Sequence, residues 1–239
     1  MLGTILNATG IFIGGVIGLV ISRQPSPATQ LALKVLMGFG AVFIGLRLTW
    51  LSLSGSFLQI FKQVVIVLLA LILGKLAGRL LRLQKASNRL GQYARARVAQ
   101  TKPGDPQRFS DGFNTCALLF CAGPLAIIGA VPDGLSGIWQ PLAIKAVMDG
   151  LATMGFVSIF GWGSTLSALP VFAYQGTITL SVQHLGPFLR DHALLDAVNA
   201  TGGLLVFCVA LVILDLKKIE LADYLPSLAF APLITWLWS

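Results

Sequence analysis

Eight apolar stretches, each close to the roughly 20 residues a helix needs to cross a hydrocarbon core, recur along the chain: residues 3–22, 31–50, 61–81, 113–131, 142–162, 166–185, 195–214 and 221–238. A helix that is apolar all round must lie in a large core or in lipid. A chain of 239 residues has no core large enough for eight of them. Composition agrees, since only 11% of the residues are charged, against about 25% in a soluble domain. The expected fold is an all-α integral membrane protein of about eight transmembrane helices, built as one transmembrane domain over 1–239. The last stretch is the weakest, because Pro226 and Pro232 interrupt it and Asp223 stands at its mouth. A seven-span chain with a re-entrant end is the alternative. Residues 1–7 lack a basic n-region and the apolar run continues to Ile21, longer than a signal-peptide core, so the first stretch is expected to stay as a span.

The net charge of +8 would suggest nucleic acid in a soluble protein, but nine of the seventeen Lys and Arg fall between Lys75 and Arg108, opposed there only by Asp105. Such clustering beside a span is a topology signal, which places 75–108 in the cytoplasm, and no nucleic-acid partner is expected. Counting spans puts the N-terminus outside, Arg23, Lys217 and Lys218 inside, and the 132–139 turn outside. Arg47 and Lys62 run against this assignment and are outnumbered. Leu76, Leu80, Leu83 and Leu90 lie near helical spacing among the arginines, so this stretch either prolongs span three or lies on anionic headgroups. Residues 102–106 read as a loop. Cys116, Cys121 and Cys208 sit in apolar segments with no C-x-x-C pair, so neither a disulfide framework nor a metal site is indicated.

Two segments echo one another. Leu31-Ala-Leu-Lys34-Val-Leu-Met37 and Leu142-Ala-Ile-Lys145-Ala-Val-Met148 share Leu, Ala, Lys and Met at a displacement of 111 residues, and Asn7 and Asn114 open the preceding spans at a displacement of 107. Three spans separate equivalent points, so the two units would face opposite ways. The resulting organisation is unit one over 1–82, a basic cytoplasmic loop over 83–110, unit two over 111–186, and final helices over 195–239. Inverted-topology repeats with broken helices near the midplane are the architecture of many secondary transporters. A second echo, Asn7-Ala-Thr-Gly10 against Asn199-Ala-Thr-Gly202, places another asparagine at the start of span seven.

An ionisable side chain deep in a span is costly and marks a candidate site. Asp149 lies roughly 10 Å into its helix with Lys145 one turn before it, and the plainer reading is a pair that merely neutralises itself. Gly123-Pro124, Pro170, Tyr174-Gln175-Gly176-Thr177 and Pro226 are expected interruptions, because proline removes a backbone donor and free backbone survives at membrane depth only when buried or facing a wet cavity. Gly10, Gly14 and Gly18 recur every four residues, a pattern of close helix packing. His184 and His192, with Asp191 and Asp196 near, lack metal-ligand spacing and read as a solvated outer loop. No catalytic constellation and no nucleotide-binding fingerprint is present, so no enzyme and no cofactor are expected.

Asp111-Gly-Phe113, Leu118-Leu-Phe-Cys121, Gly123, Ala126-Ile127, Gly129, Asp133-Gly-Leu135, Lys145, Asp149-Gly150, Tyr174-Gln-Gly176, Gly202-Gly203 and Leu225-Pro226, with Gly3-Thr4 and Asn7 in the first half, resemble the YqgA/YdfK-like bacterial membrane family, domain of unknown function 554. The resemblance covers essentially the whole chain. It implies a multi-span protein of the bacterial inner (cytoplasmic) membrane and no established activity. The expected function is a secondary transporter or channel for a small polar solute or ion, with Asp149, Lys145, Asn7, Asn114, Gln175 and Asn199 lining a central cavity. The alternative is a scaffold or regulatory subunit that docks a soluble partner or anionic lipid through the basic loop. Expected partners are the lipid bilayer, a small solute or ion, and a second copy in a homodimer.

Overall fold

The structure, a computed structural model, describes residues 1–21, 25–101, 107–190 and 194–238, with the side chain of residue 190 excepted. Arg23, the 102–106 loop, Asp191 and His192 lie outside the described residues. The elements are α1 (Leu2–Ile21), α2 (Pro27–Leu51), α3 (Phe57–Leu80), α4 (Leu83–Gln100), α5 (Arg108–Ala122), α6 (Pro124–Ser136), α7 (Gln140–Phe160), α8 (Gly163–Leu166), α9 (Ala168–Arg190), α10 (Leu194–Ile213), a 3₁₀ turn (Leu221–Tyr224) and α11 (Ser227–Trp238). Each apolar stretch becomes helix, but the fourth is divided between α5 and α6 and the eighth is a 3₁₀ turn followed by α11.

Among the described residues five helices, α1, α2, α3, α7 and α10, are long and apolar enough to cross a membrane. The α5–α6 pair, bent by 62°, makes a sixth if it counts as one span. The two remaining stretches fall short for different reasons. The helix α9 carries Gln175, Gln183 and His184. The twelve residues of α11 give a rise of about 18 Å, against a core of about 30 Å.

Packing fixes the direction of each element. Gly10, Gly14 and Gly18 of α1 lie against Ala146, Gly150 and Met154 of α7, so these helices run parallel. A Cβ at Gly10 would come within 2.6 Å of the Ala146 carbonyl oxygen, and one at Gly18 within 2.9 Å of the Met154 Cα. The glycine stripe is thus the seam that lets two backbones touch. Gly38 and Gly45 of α2 meet Leu214 and Phe207, so α2 and α10 are antiparallel. Gly112 faces Phe160 while Gly129 faces Leu142, which sets the bent α5–α6 pair antiparallel to α7. Lys62 donates to the Trp238 carbonyl at 2.5 Å and Gly74 meets Ser227, so α11 returns along α3. Ends of opposite character result. One gathers the start of α2, the end of α3, α4 and the ends of α7 and α10, and is called the basic end below.

The centre belongs to α10, whose most apolar window is 61% buried, against 22% for α2 and α3. Those two turn Phe39, Phe43, Trp50 and Leu58 outward, as helices facing lipid do. At Arg82 the backbone enters the left-handed region (φ 56°) and the chain turns from α3 into α4. The basic stretch is therefore a separate amphipathic helix. Its inner face presents Ser87, Leu90 and Ala94, and its outer face exposes Lys85, Arg89 and Arg95. Gln84 ties it down: its backbone N–H donates to Asp223 Oδ1 at 2.8 Å, and its side-chain oxygen accepts from the Ala222 N–H at 3.0 Å. Arg97 and Asp111, 3.8 Å apart, join α4 to α5.

Candidate functional site

Two apolar helices cannot close tightly where proline ends a hydrogen-bond ladder. At Gly123 the backbone becomes extended (ψ 129°), Pro124 occupies the first turn of α6, and the chain bends away from α7. A cavity of about 440 Å³ occupies the wedge, walled by α2, this break, α7 and the end of α10. Its walls are mainly apolar, and four charged residues stand on them: Lys34, Lys145, Asp149 and Asp215.

These four make two ion pairs at different depths. Lys34 bonds Asp215 at the basic end, where the side chains are 39% and 77% exposed. Asp215 takes the left-handed conformation (φ 55°) just past the end of α10, and the Leu216 N–H closes the helix on the Leu211 carbonyl at 2.9 Å. Glycine is the residue usually found at such a position. Asp is tolerated there and supplies a carboxylate to Lys34 that glycine lacks. Deeper, near the middle of α7, Lys145 Nζ lies 2.6 Å from Asp149 Oδ2, with side chains only 6% and 10% exposed. Lys145 also stands 5.9 Å over the Phe120 ring on α5.

Behind the deep pair a file of buried polar groups continues toward the opposite end. Asn7 stands near Asp149 and donates from Nδ2 to Gln175 Oε1 at 3.1 Å. One turn on along α9, the Thr179 hydroxyl is 3.1 Å from that of Thr4. The Thr4 N–H then donates to Asp133 Oδ2 at 3.4 Å, near the end of α6. Asn7, Gln175, Thr4 and Thr179 are fully buried and Asp133 nearly so. Asn7 Oδ1, Gln175 Nε2 and Asp133 Oδ1 have no partner among the described residues. An unsatisfied buried polar atom costs about 1–3 kcal/mol, so a line of them is expensive as mere packing.

Of the six residues expected at the site, the structure brings together Asp149, Lys145, Asn7 and Gln175. It does not bring in the other two. Asn114 is exposed on α5, where it donates to Ser110 Oγ at 3.4 Å. Asn199 donates to Ser136 Oγ at 2.8 Å, away from the Lys145–Asp149 pair. A further correction concerns α9, which is continuous through Gln175-Gly176. Pro170 falls in its first turn, where no amide donor is needed, and the irregular segment comes earlier, at Gly161 (φ 73°) and the short α8. Lys34, Asp215, Thr4, Thr179 and Asp133 are not among the residues expected at the site. For Lys34 the signal was present, because it is the counterpart of Lys145 in the repeated segment.

Long apolar helices, a bent pair and charges buried between them define a helical membrane protein. Residues 2–236 match the family described as "Protein of unknown function (DUF554)". The chain belongs to that family. It is similar to "Uncharacterized membrane protein YdfK" of Bacillus subtilis (strain 168), with 30% identity over 235 residues that cover 98% of this chain and 95% of that protein. It is also similar to "Uncharacterized protein YqgA" of Escherichia coli (strain K12), with 24% identity over 241 residues, 100% of this chain and 98% of that protein. No solved structure matches it.

Proposed function

We propose that this protein is a secondary transporter or channel for a small polar solute or ion in a bacterial inner membrane. The observation that carries the reading is the polar line through the bundle. It begins in the cavity with Lys34 and Asp215, reaches Lys145 and Asp149 at the α5–α6 break, and continues through Asn7, Gln175, Thr4 and Thr179 to Asp133. Charges and amides at membrane depth are characteristic of substrate and ion paths. A cavity beside a broken helix, with ionisable groups on its wall, is the kind of site that transporters of alternating access use.

The proposed topology has eight passes, with α5–α6 as one broken span and α11 as a short one. The N-terminus is outside and 75–108 cytoplasmic, because α4 with its exposed arginines belongs on the side where basic residues are retained. Units 1–82 and 111–186 are proposed as an inverted repeat. The opposite directions of α2 and α7 favour it, and so do the repeat-related Lys34 with Lys145 and Met37 with Met148 on one cavity. The seams are not equivalent, since α1 packs extensively on α7 while α5 and α6 form no comparable seam with α2. The protein is proposed to act without enzymatic chemistry.

The test is solute-dependent current or uptake in liposomes containing the purified chain, with protons, alkali cations, amino acids and small carboxylates as probes. Flux for at least one probe, lost in Asp149→Asn while expression persists, supports the proposal; wild-type protein inert to all of them overturns it. A second reading, a regulatory scaffold, is favoured by the three outward cations of α4, Lys85, Arg89 and Arg95. It predicts retention of a soluble partner by α4 without flux.

A further inference from the structure

The wall between α2 and α7 is incomplete at the basic end. A cleft of about 570 Å³ opens there on the side of the bundle, with Pro27, Gln30 and Gly155 at its rim and Leu31 and Leu151 along its sides. Its inner end is formed by Met37 and Met148, and it shares these and Lys34 with the inner cavity. From Pro27 to Met37 is ten residues of helix, about 15 Å of rise, and a bilayer core of about 30 Å makes one leaflet about 15 Å deep. The cleft therefore reaches from headgroup level to the midplane. Its sides are apolar, and Lys34 is the charged residue on its lining. The flexible Lys34 side chain carries its ammonium toward the basic end to meet Asp215, and Lys217 and Lys218 follow Asp215 in the chain.

We propose that this cleft binds one anionic phospholipid from the leaflet on the basic-end side, with its phosphate at Lys34 and one acyl chain between Leu31 and Leu151. An ammonium has three donors, so Lys34 serves a phosphate oxygen while keeping Asp215. The Asp215 side chain is 77% exposed, and an exposed ion pair is weak, so it does not exclude a competing anion. Lys217 and Lys218, exposed two and three residues beyond Asp215, add positive charge near that pair. That charge selects an anionic headgroup, and the slot one leaflet deep selects an acyl chain. The site stands whether or not the deep Lys145–Asp149 pair carries solute, and its readout is binding.

Native mass spectrometry of the purified full chain, titrated with dioleoylphosphatidylglycerol or dioleoylphosphatidylcholine, tests it. One lipid per chain is expected, with the anionic lipid bound about fivefold more tightly, the difference expected for one surface lysine. Lys34→Gln should erase most of that preference with the melting temperature retained. Leu151→Trp should lower occupancy by both lipids by filling the slot, and Leu31→Trp fills it from the other wall if the first variant fails to fold. Equal affinity of the wild type for the two lipids, or a preference that survives Lys34→Gln, overturns the headgroup assignment. Unchanged occupancy in both tryptophan variants overturns the cleft. Displacement of the lipid by millimolar glycerol 3-phosphate would identify a site for a free phosphate ester and refute the lipid.

Discussion

Replacing Lys145 by Met removes the ammonium 2.6 Å from Asp149 and leaves a carboxylate that is 7% exposed with only the Asn7 carboxamide in support. Breaking one partner of a buried ion pair costs about 3–5 kcal/mol, whereas replacing both partners by apolar groups of similar volume is often neutral. Lys145→Met alone should therefore lower the melting temperature by about 6–12 °C, taking 3 kcal/mol and the 2–4 °C per kcal/mol of domains this size. The double variant Lys145→Met with Asp149→Leu should recover most of that loss, which, with Asp149→Leu alone costing about as much, corresponds to a coupling of about 6 kcal/mol. Unfolding of the four proteins in one detergent closes the cycle. The reasoning fails if the double variant melts at or below the Lys145→Met protein, because additive losses would mean that the two side chains do not compensate one another. Flux in the same double variant separates function from charge balance. A pair that only neutralises itself leaves transport intact, and a binding pair abolishes it in a folded protein.

The remaining predictions concern packing and orientation. Gly14→Ala puts a methyl into the Gly150 carbonyl across the α1–α7 seam and should destabilise by about 1–3 kcal/mol or more, while Gly91→Ala on α4, with nothing near its Cβ, should be neutral or slightly stabilising; equal melting temperatures would refute the seam. Asp223→Ala removes the acceptor of the Gln84 N–H and should speed proteolysis within α4, with no change there counting against the clamp. In a cysteine-free background, Ala99→Cys should react with an impermeant reagent only from the cytoplasmic side and Ser136→Cys only from outside; the reverse pattern inverts every loop.

Most helix positions were legible because crossing a membrane is a one-dimensional demand, met by a run of apolar residues whatever surrounds it. Gly123-Pro124 was legible for the same local reason, since a missing amide donor ends a ladder wherever proline stands. Gln175-Gly176 misled because the interruption was inferred from a polar side chain, whereas its oxygen accepts from Asn7 across the α1–α9 contact and the α9 backbone stays helical. Asn114 shares the sequence register of Asn7 but not its surroundings, because the α5–α6 bend changes what its helix faces. Lys34 and Asp215 are 181 residues apart, and only the antiparallel packing of α2 on α10 brings them together. Asp133 read as part of an outer turn because its role depends on the register between α6 and α1, which no local pattern encodes.

The central claim is that the Lys145–Asp149 pair lies at the base of a wet vestibule open at the basic end. Met148 lines that vestibule one residue from Asp149, so its accessibility reads the claim without any knowledge of the solute. Met148→Cys, with Cys116, Cys121 and Cys208 replaced by Ala, is treated with a charged, membrane-impermeant methanethiosulfonate in sealed vesicles of each orientation. Modification when the reagent is on the side that bears α4, and none from the other side, is the predicted result. No modification from either side, or modification only from the side opposite α4, would contradict it.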